Sequence, residues 1–239
     1  MKRWYNGKFI SIELPVEGWA EKLNSADVEE FALGCMGLQE LGTPEAYEVL
    51  KSRLGERDKY RRRLILSVIF SFEESAELQE QFREALQSEE MLFVEEAFKH
   101  LCSGRNFWVG LEEILTAIER NHNKLHNYYY KPLWDIAKTR QYTDRILELF
   151  HTADTDSIRI KVAGVFEHAA TEENYTHLYG LLAESKISKL RLEACRIAHR
   201  FDRRDLLLLY VNDPDGHIRK FAKKALGDSD GSQGNERSS

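Results

Sequence analysis

Between residues 213 and 227 the chain reads DPDGHIRKFAKKALG, with Ile218, Ala222, Ala225 and Leu226 at i, i+4, i+7 and i+8. That spacing lays one apolar stripe along an α-helix. Asp213-Pro214-Asp215 ahead of it supplies a turn and an acidic helix start. The same template fits Leu190, Ala194, Ile197 and Ala198, and again Ile158, Val162, Val165 and Phe166. Fainter copies run through Phe93, Ala97, His100 and Leu101, through Tyr60, Leu64, Ser67 and Val68, and through Val28, Ala32, Cys35 and Met36. The weakest is anchored on Tyr128 and places Pro132 at the second stripe position, which a helix tolerates only within its first turn. The anchors at 28, 60, 93, 128, 158, 190 and 218 are separated by 32, 33, 35, 30, 32 and 28 residues. A steady period near thirty predicts a stack of repeats.

Partner helices are predicted between these, over 43–54, 75–87, 106–119, 142–151, 172–184 and 203–211, the first with Thr43 as N-cap and Pro44 at the first helical position. Each repeat is then a helix pair that buries its stripes only against neighbouring pairs. Upstream, Asn6-Gly7 precedes alternation at Ile10, Ile12 and Leu14, the pattern of a small hairpin capping the first repeat. Downstream of Gly227 no hydrophobic residue occurs, and disorder is expected. The chain divides into a capping segment at 1–15, a repeat solenoid at 16–227 and a tail at 228–239.

The motif Asp213-Pro214-Asp215…Ile218-Arg219…Ala222…Ala225-Leu226-Gly227, echoed at 154–166 and 190–198, resembles the HEAT-repeat family, most closely its short bacterial form, the PBS-lyase-like repeats. The resemblance implies an all-α, right-handed, armadillo-like solenoid of about seven antiparallel helix pairs, used mostly to bind other proteins. It also implies a ladder between adjacent repeats built from Asp213 and Arg219, with Arg191, Arg159 and Arg61 on the same rung. Repeats 1, 3 and 4 have Glu29, Val94 and Tyr129 at the arginine position, so apolar packing must hold that part of the stack.

The same architecture places each pair's second helix on the concave side, and the positions opposite its stripe are anchor +2, +5 and +6. A helix surface without a partner is polar there. This chain instead has Ile65, Leu66, Phe98, Tyr130, Leu133, Trp134, Ile160 and Leu192, followed by Arg196 and by Lys220, Lys223 and Lys224 at the far end. An apolar, aromatic groove with a basic end points to a protein or peptide partner, one with an acidic segment suiting the lysines. The residues expected to carry binding are Ile65, Phe98, Tyr130, Trp134, Leu192, Arg196, Lys220, Lys223 and Lys224. Alanine at Trp134 or Phe98 is then expected to abolish binding and spare stability. Two readings compete: the second helices pack on one another through these positions, or the register is displaced by one. The lysines have their own alternative, a solvated end face.

Charge changes this picture little. The net charge is −6, with 15 Lys/Arg and 23 Asp/Glu over residues 1–120 (net −8) and 19 against 17 over 121–239 (net +2). Within 186–224 there are 11 basic and 5 acidic residues, a local +6. An acidic whole argues against a dedicated nucleic-acid binder. Cys35, Cys102 and Cys195 have no metal or redox spacing and suit buried positions. With no signal peptide and no transmembrane run, a soluble cytoplasmic protein is expected. His122 and His126 near Glu119 fall in RNHNKLHN, which reads as a solvated loop and not as a metal site. No catalytic or cofactor motif is present. The residual enzyme readings are a HEAT-like alkylpurine DNA glycosylase, for which Trp108, Trp134 and Asp135 are the raw material, and a bilin-lyase-like chaperone.

Overall fold

Aspartate, serine and threonine side chains start six of the helices. Asp27, Thr43, Asp58, Ser75, Thr155 and Asp215 each accept a hydrogen bond from a backbone N–H of the first turn, a cap worth about 1 kcal/mol apiece. The computed structural model describes residues 2–5, 8–11, 14–73, 75–102, 109–124 and 128–227, with side chains described from residue 14 onward. The chain is all-helical and solenoid-like apart from one two-stranded antiparallel sheet, and it divides into two compact units, Met1–Pro132 and Leu133–Ser239.

In the first unit, β1 (Lys2–Tyr5) pairs with β2 (Lys8–Ser11), Tyr5 opposite Lys8. The expected turn at Asn6-Gly7 and the hairpin's side chains lie outside the described residues. Then come α1 (Val16–Lys22), α2 (Val28–Leu41), α3 (Pro44–Lys51), α4 (Lys59–Ile69), α5 (Ala76–Gln87), α6 (Met91–Cys102) and α7 (Leu111–Asn121). Helices α2, α4 and α6 stack in series, α5 packs on α7, and α3 and α5 join the two rows by pairing with α2 and α6. Trp19 of α1 is buried against α2, where a Cβ on Gly37 would stand 2.1 Å from its indole. Gly37→Ala is therefore expected to destabilise by about 3 kcal/mol, because neither ring nor helix can withdraw. A urea melt of that variant tests it, and a shift under about 0.5 kcal/mol would count against the packing.

The second unit comprises α8 (Tyr130–Thr139) from Leu133 on, α9 (Thr143–His151), α10 (Asp156–Ala163), α11 (Phe166–Ala169), α12 (Tyr175–Ala183), α13 (Ser188–Arg200), α14 (Arg204–Leu208) and α15 (Gly216–Leu226). Helices α10 and α11 pack on α13, and α13 packs on α15. Their partners α9, α12 and α14 lie against α10, α13 and α15 respectively. The stripe at 158–166 was expected on one helix. It is broken at Gly164-Val165, where the Val165 N–H bonds back to Val162 instead of one residue further. That tightened turn sets α11 off as a separate short helix.

Helical phase separates the two halves. In repeats 5 to 7 the expected stripes are buried, apart from partly exposed Ala225. In repeats 2 to 4 the buried stripe lies one residue later: Ile65, Val68 and Ile69 in α4; Val94, Phe98 and Leu101 in α6; Tyr129, Leu133, Ile136 and Ala137 through α8. The anchors Tyr60 and Val28 are 58% and 47% exposed, and α2 turns Phe31, Cys35 and Leu38 inward, while the expected Ala32, Cys35, Val68, Ala97 and Leu101 are buried as well. Pro132 is the third residue of α8, inside the first turn, where no intrahelical N–H is lost.

Candidate partner-binding site

Arginines at the start of the second helices hold the loops. Arg159 donates to the Ala153 carbonyl (3.1 Å), Arg191 to those of Ser185 and Lys186 (2.8 and 3.2 Å), and Arg219 to those of Asp213 and Pro214 (2.6 and 2.9 Å). Arg61 reaches back one repeat, to the carbonyls of Ser25 and Ala26. Arg191 also joins its repeat to the next through Asp213, in a fork of two charge-assisted bonds at 2.8 and 2.9 Å. Arg219 clamps its own loop instead. These side chains are committed to structure.

Two residues expected on the binding surface are core. Ile65 and Phe98 are both 0% exposed, because the one-residue shift of phase turns each onto the inward stripe of its helix. Leu66 and Leu133 of the same row are also buried. Four of the eight apolar residues of the predicted groove are therefore core positions of their own units. Of the remaining residues, Tyr130 is 40% exposed, Trp134, Leu192 and Arg196 are half-buried, and Lys220, Lys223 and Lys224 of α15 are exposed. The three lysines make no hydrogen bond or ion pair to a described residue.

Around Trp134 the second unit gathers a group that extends beyond the expected residues. The His168 ring of α11 meets the indole edge-on, centroids 5.1 Å apart, and the Lys138 ammonium lies 3.0 Å above the indole face. Such a cation–π contact favours keeping the indole face polarised toward positive charge. Lys138 also pairs with Asp135 at 3.5 Å. From α13, Arg196 donates to both oxygens of Glu193 (2.8 and 3.0 Å). Glu193 is buried, and that burial pushes its carboxyl above the usual range against the pull of Arg196. Arg200 lies over the Phe201 ring at 5.4 Å, and its Nη1 is buried without a hydrogen-bond partner. Burial pushes His168 below the ordinary imidazole value, and Arg200, Lys138 and Arg196 add to this against Glu167. At neutral pH the ring is uncharged.

His168, Lys138 and Arg200 were not singled out from the sequence. The stripe template treats 158–166 as one helix and so gives no position to residues past the break. His122, expected in a solvated loop, is buried at the end of α7, its Nδ1 3.1 Å from the Glu119 carbonyl oxygen. His126 and Trp108 lie outside the described residues. Among the described residues no group of three His, Cys, Asp or Glu could hold a metal ion, and no helix is long and apolar enough to cross a membrane. Cys35 and Cys195 are buried and burial pushes each thiol up to about 12, so neither is a nucleophile at neutral pH.

No family model and no curated protein matches the chain. Among solved structures it is similar to the crystal structure of an engineered protein, with a TM-score of 0.52 at 16% identity, over 89% of this chain and 67% of that one. A second engineered protein aligns at 17% identity over 89% of this chain and 95% of that chain, with a TM-score of 0.31. At this identity the first likeness speaks for the helical fold alone.

Proposed function

We propose that this protein is a non-catalytic interaction scaffold of the HEAT-repeat type, working in the cytoplasm. It binds a polypeptide with an acidic segment on the face of its second unit that carries Trp134. The observation that carries this reading is the half-buried indole set between the Lys138 ammonium and the His168 ring. A large amphipathic side chain on a helical scaffold, flanked by a cation and an uncharged imidazole, has the composition of a binding hot spot. Leu192 and Arg196 from α13 extend that face, and Lys220, Lys223 and Lys224 give acidic chain an electrostatic approach. The buried, unreactive thiols give a covalent mechanism no support.

Affinity capture with the full chain, read by mass spectrometry, tests the proposal when run beside Trp134→Ala. A defined protein partner is expected, with binding weakened about tenfold or more by the substitution, while the thermal midpoint moves by only a few degrees. A partner retained equally by the variant would remove Trp134 from the site. Co-purified nucleic acid or a coloured ligand would overturn the scaffold reading in favour of a glycosylase-like or bilin-binding protein.

A further inference from the structure

Helices α3 and α5 of the first unit flank a cavity of about 360 Å³. Its walls carry two aromatic rings, Tyr47 of α3 and Phe72 from the segment after α4, with centroids 5.7 Å apart and planes at 66°. They also carry three carboxylates, Glu48, Glu73 and Glu77. Thr43 and Ser75, the caps of α3 and α5, stand at the same cavity, but each already accepts a backbone N–H of its own helix, at 3.3 and 3.1 Å. With the helix starts satisfied in this way and three carboxylates in the walls, the cavity suits a cation and repels an anion.

Carboxylates are common on helix surfaces, and Tyr47 sets this group apart. The residue is 7% exposed, and its hydroxyl is buried without a hydrogen-bond partner. Buried polar groups are nearly always satisfied, so an orphan in a cavity wall points to a partner that enters the cavity. Burial, and after it the charge of Glu77, pushes the phenol up to about 12 against the pull of Lys51, so the hydroxyl stays neutral at physiological pH. The chain's own Lys51 shows what the walls accept. Its ammonium lies 6.0 Å from the Tyr47 ring centroid and pairs with Glu48 at 3.9 Å and with Glu77. Carboxylates of two different helices therefore come within reach of one cation. One lysine against three carboxylates leaves two negative charges over, and exposed Glu73 makes no ion pair to a described residue.

We infer that this cavity seats an arginine side chain of a partner polypeptide, stacked on Phe72 and donating to the Tyr47 hydroxyl and to the carboxylates of Glu73 and Glu77. It is a second contact, opposite in charge to the one proposed at Trp134 and built from different residues. Charge complementarity selects the partner. Residues 1–120 carry a net charge of −8, which draws basic segments toward this unit. Donor geometry then selects arginine over lysine. A guanidinium spreads five N–H donors over a plane, so it serves two carboxylates and a hydroxyl at once while its flat face lies on an aromatic ring. An ammonium is a compact point charge, and Lys51 already supplies one to Glu48 and Glu77.

Titration of the full chain with the peptide acetyl-Gly-Arg-Gly-amide at about 50 mM salt, followed by amide NMR shifts, tests the seat. Peptides with lysine and with citrulline in place of arginine serve as comparisons. Saturable shifts centred on the cavity residues are expected, with arginine bound more tightly than lysine and about tenfold more tightly than citrulline, which keeps the shape and loses the charge. Glu73→Gln/Glu77→Gln should weaken arginine binding about tenfold. Glu172→Gln/Glu173→Gln, the same change of net charge in the second unit, should leave it unchanged. Tyr47→Phe should weaken binding while holding or raising the thermal midpoint, because it removes an unsatisfied buried hydroxyl. Lys51→Gln should tighten binding by freeing Glu48 and Glu77, an outcome that damage to the fold cannot produce. Citrulline or lysine bound as tightly as arginine, or unchanged affinity in the Glu73→Gln/Glu77→Gln protein, would overturn the seat. So would self-association of the chain in sedimentation that the same double variant abolishes, which assigns the cavity to a second copy.

Discussion

Phe98→Ala should lower stability by about 3–5 kcal/mol, the cost of emptying a fully buried phenylalanine site. Phe98 is 0% exposed in the middle of α6, a helix that packs on α4 and α5. Its neighbours along the helix, Val94, Ala97 and Leu101, are buried with it, so nothing mobile is at hand to fill the space. Urea denaturation gives the measurement: the midpoint should fall steeply with an unchanged slope. Phe98→Leu, which keeps most of the volume, should cost about 1.5 kcal/mol or less. The contrast with Trp134→Ala, expected to weaken binding and largely spare the fold, makes the test specific. A Phe98→Ala protein within about 0.5 kcal/mol of the parent would return Phe98 to the surface. The apolar groove of the sequence reading would return with it.

The stripe at Phe98 was misplaced for a physical reason. In the last three repeats the helix N-cap stands three residues before the first buried position: Thr155 before Ile158, Ile187 before Leu190, Asp215 before Ile218. In α4 the cap is Asp58, and the same interval leads to Arg61, hence to Ile65, Val68 and Ile69 as the stripe. The sequence match favoured Tyr60 because an arginine follows it, as one follows Ile158 and Ile218. That arginine, however, reaches carbonyls of the preceding repeat, a different task from Arg159 and Arg219. The N-cap position fixes helical phase through backbone geometry, whereas a single matching residue does not. Caps, period and helix pairing were legible because each is set within a few residues of chain. The Trp134 cluster was not, since it joins α8, α11 and α13 and depends on a break at Gly164-Val165 that hydrophobic spacing does not encode.

Severing Arg191 from Asp213 is the other substitution with a large expected effect, and it acts on the joint between two repeats. The Asp213 side chain is 6% exposed and that of Arg191 14%, so solvent screens the pair little. Asp213 does more than accept the fork: its Oδ1 also takes the Asp215 N–H at 2.8 Å, fixing the turn from which α15 starts. Removing one partner of a buried pair leaves the other charge without compensation, and Asp213→Asn should cost about 3 kcal/mol. Arg191→Met/Asp213→Leu, which removes both charges, should recover part of that loss. Because each repeat is held by its neighbours, the damage should fall first on α14 and α15, seen as faster amide exchange there while α2–α7 stay protected. The acid limb follows from the same contact. Arg191 foremost, helped by the Asp215 N–H, holds the Asp213 carboxyl below the usual carboxylate range. A depressed folded-state value stabilises above the unfolded pKa, about 3.9, and that contribution is lost as pH falls through the lower folded one. The parent should therefore shed this stability below about pH 4, whereas Asp213→Asn, lacking the group, should show a flatter acid profile. Parallel profiles for the two proteins, or single-variant losses that simply add in the double variant, would show that the pair does not join the repeats.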